Sequence, residues 1–160
     1  MKRQSGLLLC LFALSCASAP EKKILKETDF NPSNLKLEIT ESAVMENAEL
    51  AISTLKELKE LGIQLSIDDF GTGYSSLSYL HKFPIDTLKV DRSFVSAMDE
   101  ASENGEIVRT IVLLAKNLNM QVVAEGIETV HQLHQLRILG CEYGQGYLFS
   151  RPVPAMEAVN

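Results

Sequence analysis

The residues IQLSIDDFGTGYSSL (63–77) decide how this chain folds. Ile63, Leu65 and Ile67 alternate with Gln64, Ser66 and Asp68, so a strand over 63–69 has one apolar face and one that turns acidic toward its C-terminal end. Asp68 and the adjacent Asp69 then run straight into a loop holding Gly71 and Gly73. Two neighbouring carboxylates are costly in a core strand and serve no purpose in an ordinary turn, so their presence here needs a chemical reason.

The same parity recurs on either side. In LKLEITE (35–41) Leu35, Leu37 and Ile39 oppose Lys36, Glu38 and Thr40, and in TLKVDRS (87–93) Leu88 and Val90 oppose Thr87, Lys89 and Asp91. MQVVAEGI (120–127) and CEYGQGYLF (141–149) read as two further strands. Helical periodicities lie between them. NAELAISTLKELKELG (47–62) is capped by Asn47 and ended by Gly62, and YSSLSYLHKF (74–83) predicts a short helix before Pro84. A helix over 106–117 turns Ile107, Ile111 and Leu114 inward, and another, capped by Thr129, ends at Gly140. Alternating strands and helices predict a parallel sheet. A doubly wound sheet, covered on both faces, favours continuous apolar runs, whereas a (β/α) barrel gathers inward polar residues at its C-terminal mouth. The expected fold class is therefore α/β, an incomplete (β/α)8 TIM-type barrel of about five C-terminal βα units.

A length of 160 residues with 46% hydrophobic content suits one domain with a real core. The net charge of −6 and sequence pI near 5.1 argue against duplex nucleic acid as a partner. A small anionic ligand would need metal ions to supply positive charge. The N-terminus, MKRQSGLLLCLFALSCASAP (1–20), has a cationic tip, about eleven apolar residues and Ala17-Ser18-Ala19, the shape of a secretory signal peptide, although Pro20 is a poor cleavage context. The expected division is a signal-like or non-homologous segment over 1–20 and one domain over 21–160, with residues 1–19 leaving export or membrane association open. Cys141 stands far from Cys10 and Cys16 and is expected to be buried.

If the polar faces converge, the mouth holds Glu38, Asp68, Asp69, Lys89, Glu125 and Gln145 from five successive strands. Four carboxylates against one lysine require cations. Hard oxygen ligands suit Mg²⁺ or Mn²⁺, and carboxylates bridging two such ions suit phosphodiester cleavage by an activated water. Any one of these acids could be a solvated strand end or a cap, but five strands repeating the placement make coincidence a poor account. A rival is an enolase-type barrel with a strand lysine as base, for which no convincing second base follows. Asp69-Phe70-Gly71 spells a kinase metal motif without the catalytic loop that should precede it, and Gly71-x-Gly73 alone is a weak phosphate-loop signal. His131 and His134, three residues apart on a helix, are expected on a solvated face.

In order and spacing, LEITES, IDDFGTGYSSL, LKVDRSFV, VVAEGIET and GCEYGQGYLFSRP closely resemble the C-terminal portion of the EAL domain, the cyclic di-GMP phosphodiesterase barrel of bacteria, over about residues 24–153. The resemblance implies that Glu38, Asp68 and Asp69 are metal ligands, with Asp68 bridging two ions of Mg²⁺ or Mn²⁺, and that Lys89 and Glu125 position and deprotonate the attacking water. It implies that Asp91 and Gln145 contact the substrate, cyclic di-GMP, which is opened to linear pGpG. Glu41 and Glu128 would anchor the loop from Phe70 to Ser76, whose Gly71 and Gly73 let it follow the substrate and a homodimer partner. The family's cytosolic substrate implies a cytoplasmic location. The Glu-Ala-Leu signature of the family's first strands, with a phosphate-holding arginine and a metal-binding asparagine, has no counterpart in this sequence. The expectation is therefore a truncated and impaired phosphodiesterase with one metal site incomplete. The alternatives are a non-catalytic module that binds cyclic di-GMP or a partner barrel through the same loop, and an inert remnant.

Overall fold

A computed structural model of the chain describes residues 7–10, 23, 25, 27–73, 77–98, 103–154 and 157. Six strands, all parallel, lie side by side in chain order: β1 (Leu7–Cys10), β2 (Leu35–Thr40), β3 (Gln64–Phe70), β4 (Thr87–Val90), β5 (Gln121–Ala124) and β6 (Tyr143–Gly144). The helices are α1 (Glu41–Glu46), α2 (Ala48–Glu60), α3 (Leu77–Leu80), α4 (Arg92–Ser96), α5 (Glu103–Asn117) and α6 (Val130–Ile138). Strands alternating with helices in a parallel sheet, each strand beside its sequence neighbour, form an arc of a (β/α) barrel.

The count of strands corrects the expected five. The additional strand, β1, comes from the apolar run read as the core of a signal peptide and pairs in register with β2, Leu7 opposite Leu35 and Cys10 opposite Glu38. An unbroken apolar run has no periodicity to separate a signal segment from a strand. The rest of 1–20, and with it the cleavage site, lies outside the described residues. Among the described residues no helix is long and apolar enough to cross a membrane.

Leu37, Ile39, Leu65, Ile67, Leu88, Val90, Val122 and Ala124 meet Leu55, Leu58, Ile111 and Ala115 of the helices in one continuous core. Each such leucine or isoleucine contributes roughly 1.5–3 kcal/mol by leaving water. The helices place these residues as expected: the Asn47 side chain accepts from Leu50 N, and Thr129 forms a reciprocal capping box with Gln132. Cys141 is buried, as expected, and burial pushes its thiol up to about 11.

The other sheet face is also buried but polar, with Glu38, Ser66, Thr87 and Lys89 all under 5% exposed. Two local expectations are corrected and one element is added. The strand over 87–93 stops at Val90, because Asp91 accepts from Ser93 N and starts α4. The last strand is only Tyr143–Gly144, and a turn follows it. Helix α1 occupies residues 41–46, where the sequence offers a single amphipathic turn.

Candidate active site

Lys89 organises the polar face. Its ammonium lies 2.6 Å from Glu38 Oε2, 2.9 Å from Asp68 Oδ1 and 2.6 Å from Glu125 Oε1. Those acids stand on β2, on β3 and immediately after β5, so one cation joins residues from neighbouring strands. Burial alone would lower the lysine's pKa, but its hydrogen bonds and charge contacts with Glu125, Glu38 and Asp68 outweigh this and hold it above its ordinary range. Burial raises Glu38 and Glu125, and Lys89 partly offsets both shifts. One layer deeper, Lys36 Nζ donates to Thr87 Oγ1 at 3.0 Å, and burial lowers its pKa.

Strict alternation would send Asp68 and Asp69 to opposite faces, yet the structure brings them together. Ile67 pairs with Leu88 and Phe70 with Val90, so β3 spends three residues where β4 spends two. The extra residue is a β-bulge, a device that re-aims side chains at the rims of barrels. Asp69 adopts φ 53°, in the left-handed region that aspartate tolerates better than most residues, and Phe70 is thereby returned to the apolar core. One carboxylate oxygen from each of Asp68, Asp69 and Glu125 lies within 4.8 Å of the others. That spread fits donors around a single cation with oxygen bonds of about 2.0–2.6 Å, and the all-oxygen set suits a hard ion. Burial raises the pKa of Asp69, and the charges of Asp68 and Asp91 add to it, a repulsion that a bound cation would relieve. Among the described residues this is the single group of three or more candidate metal-ligating side chains, and His131 and His134, both exposed on α6, are not in it.

The remaining residues surround this centre. Gln145 Nε2 donates to Glu125 Oε1 at 2.6 Å. Asp91 is held below its ordinary pKa, because hydrogen bonds from Ser93 and from the Arg92 backbone outweigh the effect of burial. Glu41, 1% exposed, accepts through Oε2 from Gly71 N at 2.9 Å and Gly73 N at 3.3 Å, gripping the described part of the loop after β3. Gly71 has φ 101°, and an added Cβ would lie 2.9 Å from Phe94. Glu128 meets Arg92 Nη2 at 3.0 Å.

Sequence reasoning did not single out Arg92, Tyr147 or Arg151. They line a cleft of about 430 Å³ that also touches Glu125 and Gln145. The signals for them were that Arg92 follows Asp91 directly and that Tyr147 and Arg151 lie in the run GCEYGQGYLFSRP together with Gln145.

A family model for the EAL domain matches residues 13–152. The chain is 54% identical over 120 residues to a protein of Pseudomonas aeruginosa named cyclic di-GMP phosphodiesterase NbdA, covering 75% of this chain and 15% of that protein. It is 44% identical over 135 residues to cyclic di-GMP phosphodiesterase PdeR of Escherichia coli, covering 84% and 20%. The chain thus spans a fifth or less of these two relatives. Among solved structures, the phosphodiesterase PaMucR in complex with c-di-GMP superposes with a TM-score of 0.90 at 40% identity, over 96% of this chain and 64% of that one. A manganese/cy-diGMP complex of Klebsiella pneumoniae BlrP1 gives 0.83 at 33% identity, over 92% and 39%.

Proposed function

We propose, from the premise that this chain belongs to the EAL domain family, that its site cleaves a phosphodiester bond of cyclic di-GMP to give linear pGpG. The observation that carries this reading is the bulge at Asp68 and Asp69, which joins both carboxylates to Glu125 beside a buried, charged Lys89. Mg²⁺ or Mn²⁺ held by Asp68, Asp69 and Glu125, with Glu38 beside them, would supply Lewis acidity and make a neighbouring water more acidic. Lys89 keeps its proton among three carboxylates, so it orients and neutralises and does not act as base. Glu125 is the proton acceptor. Burial raises its basicity above that of a surface carboxylate, and Lys89 and Gln145 both donate to one of its oxygens, Oε1. Water attacks phosphorus and passes a proton to Glu125 while the bond from phosphorus to the 3′-oxygen breaks, and the leaving 3′-oxygen takes up a proton from solvent to give the 3′-hydroxyl of pGpG. Asp91 and Gln145 contact substrate, and Glu41 keeps the loop after β3 in reach of it.

The chain by itself turns over slowly in this reading. Its described acids make one group of three candidate donors, enough for one cation, and Glu38 stands outside that group. Weak charge stabilisation by one of two cations costs on the order of a thousandfold in rate. The loop from Phe70 to Ser76, exposed at Gly71, Thr72 and Gly73, is the proposed homodimer contact. The test is pGpG formation by the purified 160-residue chain with Mn²⁺, beside Asp68→Asn. The expected result is slow turnover and weak Mn²⁺ binding, both lost in the variant. Fast turnover abolished by Asp68→Asn would overturn the slow-turnover claim. Binding of cyclic di-GMP with no turnover and no response to Asp68→Asn would favour the non-catalytic module.

A further inference from the structure

The turn that follows the bulge is held from two sides. Thr72 N and Thr72 Oγ1 both donate to Asp69 O, at 3.3 and 2.8 Å, so residues 69–72 move as one unit. Glu41 grips that unit through Gly71 N. On the other side stand two apolar side chains. A Cβ added at Gly71 would lie 2.9 Å from Phe94 Cε2, 3.4 Å from Phe94 Cζ and 3.2 Å from Ile111 Cδ1, so a ring edge and a methyl group close directly on the backbone there. Phe94 belongs to α4, whose N-cap, Asp91, is a charge neighbour of Asp69. Ile111 belongs to α5.

Ordinary core packing does not account for this placement. Val95, the next residue, is fully buried and anchors α4, whereas Phe94 is half-buried and packs at the edge of the core. Asp69 needs such support. Its left-handed backbone, φ 53°, is unfavourable for a residue with a side chain and persists where neighbours over-determine it. Phe70 in the core restrains the residue after Asp69, and Glu41 with the seat of Phe94 and Ile111 restrains the one after that. We propose that Phe94 is a positioning residue of the candidate metal site: with Ile111 it seats the 69–72 turn and so keeps the Asp69 carboxylate beside those of Asp68 and Glu125. Without the ring the turn relaxes toward an unstrained backbone, and the Asp69 carboxylate swings away from the group. The inference rests on the reading of that group as a cation site and adds to it a residue outside the donor set.

The experiment compares wild type, Phe94→Ala, Phe94→Leu and Val95→Ala in the full chain. Calorimetry gives the Mn²⁺ affinity, hydrogen exchange in metal-free buffer follows the amides of Gly71 and Thr72, and a thermal melt verifies that each variant is folded. Val95→Ala loosens α4 in the core and keeps the ring at Gly71, so it should lower Tm and leave Mn²⁺ affinity as in wild type. Phe94→Ala should weaken Mn²⁺ binding by about ten- to a hundredfold, the range found for residues that orient a metal ligand. Exchange at Gly71 and Thr72 should speed up in the same variant while Val122 in β5 stays protected. Phe94→Leu keeps apolar bulk for the core and loses the ring edge, so it should fall between the two, and it decides the outcome if Phe94→Ala does not fold. Mn²⁺ affinity in the folded Phe94 variants equal to wild type, or falling in parallel with Val95→Ala, overturns the seat. If Asp68→Asn still abolishes Mn²⁺ binding, that result leaves the metal reading intact. A wild type that binds no Mn²⁺ overturns the metal reading and the proposal with it.

Discussion

Replacing Lys89 by methionine tests whether the acids of the inner face depend on one another. Methionine has a similar length, so little cavity forms and the loss is chiefly electrostatic. Lys89 is 3% exposed and Glu38 4%, so removing the ammonium leaves a buried carboxylate without its counter-charge. Removing one partner of a buried pair costs about 3–5 kcal/mol, or a fall in Tm of about 6–20 °C for a domain of this size. The pH dependence has a definite sign. The folded-state pKa of Lys89 is raised above 10.5, so its contribution is fully present at neutral pH and is lost only on passing into strong alkali. Glu38 and Glu125 are raised by burial, so their ionisation works against the folded state, and without Lys89 that penalty is less offset. The difference in Tm between wild type and Lys89→Met should therefore be largest near pH 7. It should shrink toward pH 5, as the folded variant takes up protons on these acids. Thermal melts followed by circular dichroism in chelator-treated buffer at both pH values measure it. A variant as stable as wild type at pH 7, or a gap that widens on acidification, would refute the reasoning.

Three further outcomes follow from the same geometry. Glu41→Ala removes the acceptor shared by Gly71 N and Gly73 N, so hydrogen exchange at those amides should speed up by about ten- to a hundredfold while Val90 in β4 stays protected. Gly71→Ala forces a side chain into φ 101° with its Cβ 2.9 Å from Phe94, and denaturant unfolding should show a loss of about 1–3 kcal/mol. Asp69→Asn keeps a residue tolerant of the left-handed backbone and relieves repulsion from Asp68 and Asp91. Its metal-free Tm should equal or exceed that of wild type, while Mn²⁺ affinity by calorimetry falls by about tenfold or more.

Parity carried most of the site. Side chains two apart on a strand share a face, so Glu38, Asp68 and Lys89 could be gathered from three short runs without knowing how the strands pair. Asp69 was harder, because alternation contradicts its place beside Asp68. The signal was nonetheless present in the spacing of the apolar residues, 63, 65, 67 and then 70, which is the slip of one position that a bulge produces. Strand β1 and helices α1 and α4 were not legible. Four strand residues inside a longer unbroken apolar run show no alternation, and single helical turns have too few residues for their period to be recognised. Arg92, Tyr147 and Arg151 escaped for another reason. Tyr147 and Arg151 lie in irregular segments, where no period exists, Arg92 opens the single-turn helix α4, and backbone bonds such as Ile127 N to Gln145 O and Glu125 N to Val90 O bring these segments together.

The residue at the centre had to be a lysine. An ammonium has three N–H donors, and Lys89 has three carboxylate neighbours, at 2.6, 2.9 and 2.6 Å. The planar fork of arginine favours one bidentate partner and would not reach three acids arranged around a point. These acids come from β2, from β3 and from the residue after β5, while Lys89 stands on β4, so the ion cluster also fixes the relative register of four strands at the rim. The geometry of the acidic cluster and the assembly of the sheet are therefore coupled through a single ammonium. A displacement of β3 relative to β4 would separate Asp68 from Lys89 and carry the bulge, and hence Asp69, away from Glu125. The bulge is tolerated at its cost in backbone strain because the buried cluster on one side and Phe70 in the core on the other both hold it in place.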